Sequence, residues 1–132
     1  MIGMLLHQDA SRHPWLAGLP PLDLVITLDD ATSGLYSAFL VEEEGSASSF
    51  RGLAEVIERH GLFMELYTDR GSHYFHTPAA GGKVSKTQLT PVGRALRQLG
   101  IGHIPAYSPA AGASWHGSLR EWIDRLLRRF YT

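Results

Sequence analysis

Glu65–Phe75, ELYTDRGSHYF, is the stretch on which the fold turns. It closes an apolar run, Leu62–Thr68 (LFMELYT), meets a carboxylate at Asp69 and then turns through Arg70-Gly71-Ser72. A short aliphatic and aromatic run bounded by Asp and Gly reads as a strand ending in a turn. A strand-to-loop corner accounts for Asp69 on its own. A metal-holding aspartate at a strand end accounts for it too, but requires a second acid brought alongside by the fold.

Outward from there, short apolar runs alternate with polar turns. Met4–Gln8 (MLLHQ) reads as a strand ending on Asp9. Leu22–Asp30 (LDLVITLDD) is rich in β-branched and aliphatic residues and stops at the turn DDATSG. Leu35–Val41 (LYSAFLV) follows at once, so these two runs read as an antiparallel pair. Between Ser46 and His60 the period changes. Phe50, Leu53, Ala54 and Ile57 fall at i, i+3, i+4 and i+7, and Gly61 supplies a stop. Gly71–Gln88 has no usable period and is a long excursion, a kind of loop that is usually functional or mobile. Thr90-Pro91 is a helix start, an N-cap followed by proline, with Val92, Ala95, Leu96 and Leu99 as its apolar stripe and Gly100 as its end. GHIPAY reads as a short strand, and a last helix carries Leu119, Trp122, Ile123, Leu126 and Phe130 on one face.

The order β-β-β-α-β-α-β-α predicts an α/β fold, a five-stranded mixed sheet flanked by helices. The first strand should lie beside the fourth, which would bring Asp9 and Asp69 to one sheet edge. With 132 residues, the chain suffices for one domain, residues 1–132, around one core. No stretch is long and apolar enough to span a membrane, and Met1–Leu6 lacks the basic flank of a signal peptide. The absence of cysteine excludes thiolate zinc sites and disulfide scaffolds and is compatible with a cytoplasmic location. A net charge of −1 does not suit an autonomous nucleic-acid binder, so a DNA partner would need a local basic patch.

Four segments together carry a resemblance: LLHQDASRHPWL, VITLDDATSGLYSAFLVEEE, LYTDRGSHYF and IPAYSP. In this order they resemble the catalytic core of insertion-sequence transposases of the retroviral-integrase-like, DDE class, whose fold is RNase H-like. The resemblance implies DNA cleavage and strand transfer by a divalent-metal site, DNA as partner, and a homo-oligomer in the full-length protein. It assigns the first two acids to Asp9 and Asp69. Mg²⁺ (or Mn²⁺) is the implied ion, since paired carboxylates hold the hard metals that activate a water or 3′-hydroxyl and stabilise the leaving oxygen.

The third position departs from the pattern. The family's Glu follows the proline of its YSP-like segment by seven residues; counting from Pro109, 109 + 7 = 116, and this chain has His116. Glu121 does not substitute, because at about 100° per residue it points roughly 140° from His116, and Asp124 lies two turns further on. The implied catalytic and metal set is therefore Asp9, Asp69 and His116. His116 reads as a third ligand, as a replacement that weakens the site, or as a structural residue. Imidazole suits Mn²⁺ better than Mg²⁺. The alternative function is an inactive RNase H-like domain kept for DNA binding or transpososome assembly; an unrelated metal nuclease would not account for the motifs beyond the acids.

Other residues carry weaker signals. Asp29 and Asp30 read as turn residues with a hydrogen-bonding role. His7, by alternation, points the same way as Asp9. His73 and His76 could chelate zinc only on a helix and with a third partner, so surface histidines are the simpler reading. Arg12 and Arg70 flank the acids as ion-pair or phosphate partners. Arg120, Arg125, Arg128 and Arg129 give the last helix a basic side, either a solvated face or a phosphate-tracking patch. VEEEGS reads as the lead-in to a helix without a catalytic part.

Overall fold

The structure is a computed structural model that describes residues 4–79 and 82–106. Its elements are β1 (Leu5–His13), β2 (Leu22–Asp29), β3 (Leu35–Val41), α1 (Ser46–His60), β4 (Glu65–Thr68), α2 (Pro91–Gln98) and β5 (Gly102–Pro105). The five strands form one sheet in the order β3-β2-β1-β4-β5. The β1–β2 and β2–β3 pairs are antiparallel, whereas β1–β4 and β4–β5 are parallel. The mixed sheet and the β1–β4 neighbourhood are those expected from the sequence. The proposed last helix, with His116, Glu121, Asp124 and its arginines, lies outside the described residues.

Two apolar clusters occupy the two faces of the sheet. Leu6, Leu53, Val56, Leu66, Val92 and Leu96 join β1 and β4 to α1 and α2. Leu24, Ile26, Leu28, Tyr67 and Trp15 pack on the other face. Each fully buried aliphatic side chain contributes about 1.5–3 kcal/mol of transfer free energy. Alternation along β1 sends Leu6 and Gln8 to the helical face, where Gln8 Nε2 donates to the Ser49 carbonyl of α1, and His7 and Asp9 to the opposite face.

Three expectations shift. β1 does not end at Asp9 but continues to His13, because β2 pairs with it over its length while β4 pairs only with Leu5, Leu6 and His7. β4 begins at Glu65, leaving Leu62 and Met64 exposed at the sheet's lower edge. The buried face of α1 is Ser48, Ser49, Gly52, Leu53 and Val56, not the stripe through Phe50 and Ala54. Small residues win there because the helix sits close on β1: a Cβ on Gly52 would lie 2.8 Å from Gln8 Nε2. At α2 the cap is as expected, with Thr90 Oγ1 accepting from Gly93 N–H at 3.0 Å, but Leu99 falls outside the packed face.

Candidate metal-binding acid site

Asp9 and Asp69 are brought together by register. β1 and β4 pair as Leu5↔Glu65, Leu6↔Leu66 and His7↔Tyr67, an offset of 60 residues throughout. The two aspartates have the same separation, 69 − 9 = 60, so they stand level, two positions beyond the last paired residues. By alternation both follow His7 and Tyr67 to the same face. The strands diverge at this level, and β1 runs on while the chain after Thr68 turns away.

The turn after Asp69 is tightly built. Asp69 Oδ1 accepts from Gly71 N–H at 2.7 Å, and the Gly71 carbonyl accepts from Tyr74 and Phe75 at 2.9 and 3.0 Å. Gly71 does not adopt a left-handed conformation. Space at Gly71 is tight, since a Cβ would lie 3.0 Å from Asp69 Oδ1 and 3.4 Å from the His73 ring and would press on the carboxylate. The turn is anchored from below. The Tyr74 hydroxyl, on a fully buried ring, donates to Gln8 Oε1 at 2.6 Å, and the Thr90 hydroxyl donates to the Tyr74 carbonyl at 2.8 Å. Gln8 Nε2 in turn reaches Thr27 Oγ1 and the Ser49 carbonyl. A buried network thus fixes the residue before Asp9 to the loop after Asp69.

The electrostatics are those of acids crowded together. Burial pushes the Asp9 carboxyl up to about 7, with the Asp69 and Glu44 charges adding to the rise and a hydrogen bond from the Ala10 backbone opposing it. Glu44 is also raised, by burial first and then by Asp69 and Asp23. Its place is set by the approach to α1, where the Glu44 N–H donates to Asp23 Oδ2 at 2.8 Å. Glu43, Glu44, Asp69, Gly71 and His73 line an open cleft of about 610 Å³ beside β1. The sequence reading missed Glu44. The signal available was the acid run Glu42-Glu43-Glu44 immediately before a helix that packs on β1.

Among the described residues no three His, Asp or Glu side chains converge closely enough to hold a metal. Asp9 and Asp69 nonetheless suit a hard divalent ion. Both supply oxygen, and two mutually repelling carboxylates, one partly desolvated, are stabilised by a cation between them. His116, the third expected ligand, lies outside the described residues.

Other candidates resolve into structural roles. His7 Nε2 lies 2.7 Å from Asp30 Oδ1 and its ring packs against Tyr67. Asp29 Oδ2 accepts from the Thr32 hydroxyl and N–H, closing the β2–β3 turn. Arg12 pairs with Asp23 at 3.2 Å and caps the Glu42 carbonyl, the ion-pair alternative. His73 packs on Tyr74 and is not on a helix.

No family model matches the chain. It is 30% identical over 129 residues to a putative transposase, y4bF, of Sinorhizobium fredii, covering 96% of this chain and 27% of that protein. It is 27% identical over 99 residues to the transposase for insertion sequence IS1202 of Streptococcus pneumoniae, covering 75% of this chain and 21% of that protein. The chain therefore spans about a quarter of the length of these curated relatives. Among solved structures it matches the simian T-cell lymphotropic virus intasome, seen in complex with a PP2A regulatory subunit, with a TM-score of 0.65, 18% identity and coverage of 92% of this chain and 37% of that one. It also matches the HTLV-2 integrase catalytic core domain in complex with magnesium, with a TM-score of 0.62, 13% identity and coverage of 98% and 75%.

Proposed function

Because the chain is an integrase-like core of the insertion-sequence transposase class, with an RNase H-like fold, we propose that Asp9 and Asp69 hold a divalent cation for DNA strand cleavage and transfer. The observation that supports this reading is the 60-residue offset of the paired residues Leu5–His7 and Glu65–Tyr67, which Asp9 and Asp69 share two positions further on, together with the electrostatic coupling of the two carboxylates. Mg²⁺ or Mn²⁺, when bound, supplies charge stabilisation for the leaving oxygen and lowers the pKa of a nucleophilic water or hydroxyl. The chain's own residues orient and position. Asp69 is oriented by the Gly71 N–H, which its Oδ1 accepts. Asp9 presents a carboxyl, raised by burial to about 7, that a bound cation would favour in its ionised form. Glu44, across the cleft, adds negative charge that favours a cation and disfavours an unscreened phosphate.

DNA is the proposed partner, in a homo-oligomer of the full-length protein. One support is that solved neighbours include an intasome and both dimeric and trimeric forms of an integrase core. No helix among the described residues is long and apolar enough to cross a membrane. His116 completes the proposed ligand set.

Thermal melting with and without Mn²⁺ tests the acid site. The ion should raise the melting temperature by linkage, and Asp9→Asn or Asp69→Asn should abolish the rise. An unchanged metal response in both variants sinks the assignment.

A further inference from the structure

The turn that carries Asp69 has a second side. Gly71 and His73 face the acid cleft, whereas Tyr74 and Phe75 line a separate cavity of about 510 Å³ bounded by α2, β5 and residues 83–89. That volume lies within the range of small-molecule sites. We propose that this cavity binds one unstacked nucleotide of a DNA strand, its base on the Phe75–His103 ring pair and its phosphate among Lys83, Lys86 and Arg97.

A stacked aromatic pair lines the cavity. The Phe75 and His103 rings stack with centroids 4.0 Å apart and planes 20° from parallel. His103 is held in place by the Thr68 hydroxyl, 2.9 Å from its Nε2. Burial pushes its pKa down to about 4, so the ring is neutral at physiological pH and offers a π face rather than a charge. A base stacks on such a surface without regard to sequence, and only when it has left its own stack.

The mouth has the opposite character. Lys83, Lys86 and Arg97 are all exposed, and none forms an ion pair with a described residue. Among the described residues no Asp or Glu lines the cavity. Aromatic and apolar lining beside a rim of Lys83, Lys86 and Arg97 with Ser85 and Gln88 suits a planar body that carries an anion, which is the chemistry of a nucleotide. That the nucleotide belongs to a DNA strand rests on the transposase reading; the ring-plus-anion chemistry does not. A strand crossing the acid cleft would pass the Gly71–Phe75 turn, and a neighbouring base would reach the cavity behind it.

Fluorescence anisotropy of a labelled oligothymidine hexamer, titrated with the full chain in EDTA at low salt, tests the proposal. Saturable binding is expected, competed poorly by blunt duplex DNA. Lys83→Glu/Lys86→Glu, on exposed positions, and Phe75→Leu, which keeps apolar bulk, should each weaken it by about tenfold or more. Phe75→Tyr, which retains the ring, should bind as the parent does. The titration is run without metal, so its outcome does not depend on occupancy of the acid site, and the two readings fail separately. Hexamer binding indifferent to both variants, or duplex competing as well as single strand, overturns the proposal. Phe75-dependent binding of free dTMP without hexamer binding also overturns the strand assignment.

Discussion

Tyr74 donates its hydroxyl to Gln8 Oε1 at 2.6 Å, joining residues 66 apart in sequence at the point where β1 and the Asp69 turn part company. Both side chains are fully buried, so the bond is made where water cannot replace it. Removing one partner of a buried pair exposes the other to its full desolvation cost, about 1–3 kcal/mol, while replacing both by apolar groups is far milder. Tyr74→Phe should therefore destabilise the domain by about 1–3 kcal/mol in denaturant titrations. Gln8→Leu also strips Thr27 Oγ1 and the Ser49 carbonyl of a donor, so it is costly by itself. The double variant should nevertheless cost less than the sum of the two single changes, a non-additivity measurable as a double-mutant cycle. Simple additivity of the two single changes would mean that the bond does not couple the strand to the turn.

Asp9 gives the domain an unusual pH response. Its folded carboxyl binds protons more tightly than the ordinary value of 3.8, with the folded value near 7. The folded state therefore holds more protons than the unfolded state between these values, and stability falls as pH rises from about 4 to about 7. Above about 7 this contribution is flat. Chemical denaturation in EDTA at pH 5 and pH 8 should show the parent losing more stability, or gaining less, than Asp9→Asn, by on the order of a few kcal/mol. The opposing contribution of His103, whose pKa burial lowers, is common to both proteins. Saturating Mn²⁺ should flatten the same slope in the parent protein, because the cation stabilises the ionised carboxyl. An equal slope in parent and Asp9→Asn would locate the titration elsewhere.

DNA binding should be electrostatic. With a net charge of −1, affinity must come from clustered cations such as Arg120, Arg125, Arg128 and Arg129, together with the Lys83 and Lys86 rim. Binding of duplex DNA should be weak, independent of sequence and steeply lost between about 50 and 200 mM salt. Tight, salt-insensitive binding to one sequence would require a base-reading element that these residues do not provide.

Much of this arrangement was legible in the sequence because it is written in period. The aliphatic runs of β2 and β3 and the cap-proline start of α2 are local signals, and each landed within a residue or two of its element. The β1–β4 neighbourhood was legible in the element order, whereas the residue-by-residue register was not, since it is a long-range property that no local pattern encodes. The face of α1 was misjudged because hydrophobicity was read where space decided: Gly52 and Ser49 are buried for being small, against Gln8. Glu44 was passed over for a related reason. A helix lead-in and an acid that faces Asp69 look identical in one dimension, and only the approach of α1 to β1 separates them.

The last prediction concerns His116. A neutral imidazole can hold a metal through one nitrogen, but it brings no charge to offset the ion and no second oxygen to share between two metals. Asp9 and Asp69 would then carry the negative charge of the ligand set, with Glu44 contributing from across the cleft. Mg²⁺ prefers oxygen and near-octahedral geometry, while imidazole suits later divalent ions better. Strand transfer should accordingly be weak with Mg²⁺ and stronger with Mn²⁺, measured on a labelled duplex with the full-length protein. His116→Glu should raise Mg²⁺ affinity, read from the melting shift, and should narrow the Mn²⁺/Mg²⁺ activity ratio. Glu44→Gln in that background separates the two acids: if Glu44 acts only through its field, metal affinity should fall modestly and activity should survive. Robust Mg²⁺-dependent cutting by the unaltered protein, with a rate untouched by His116→Ala, would show that another residue completes the site and that the alignment of the last helix is wrong.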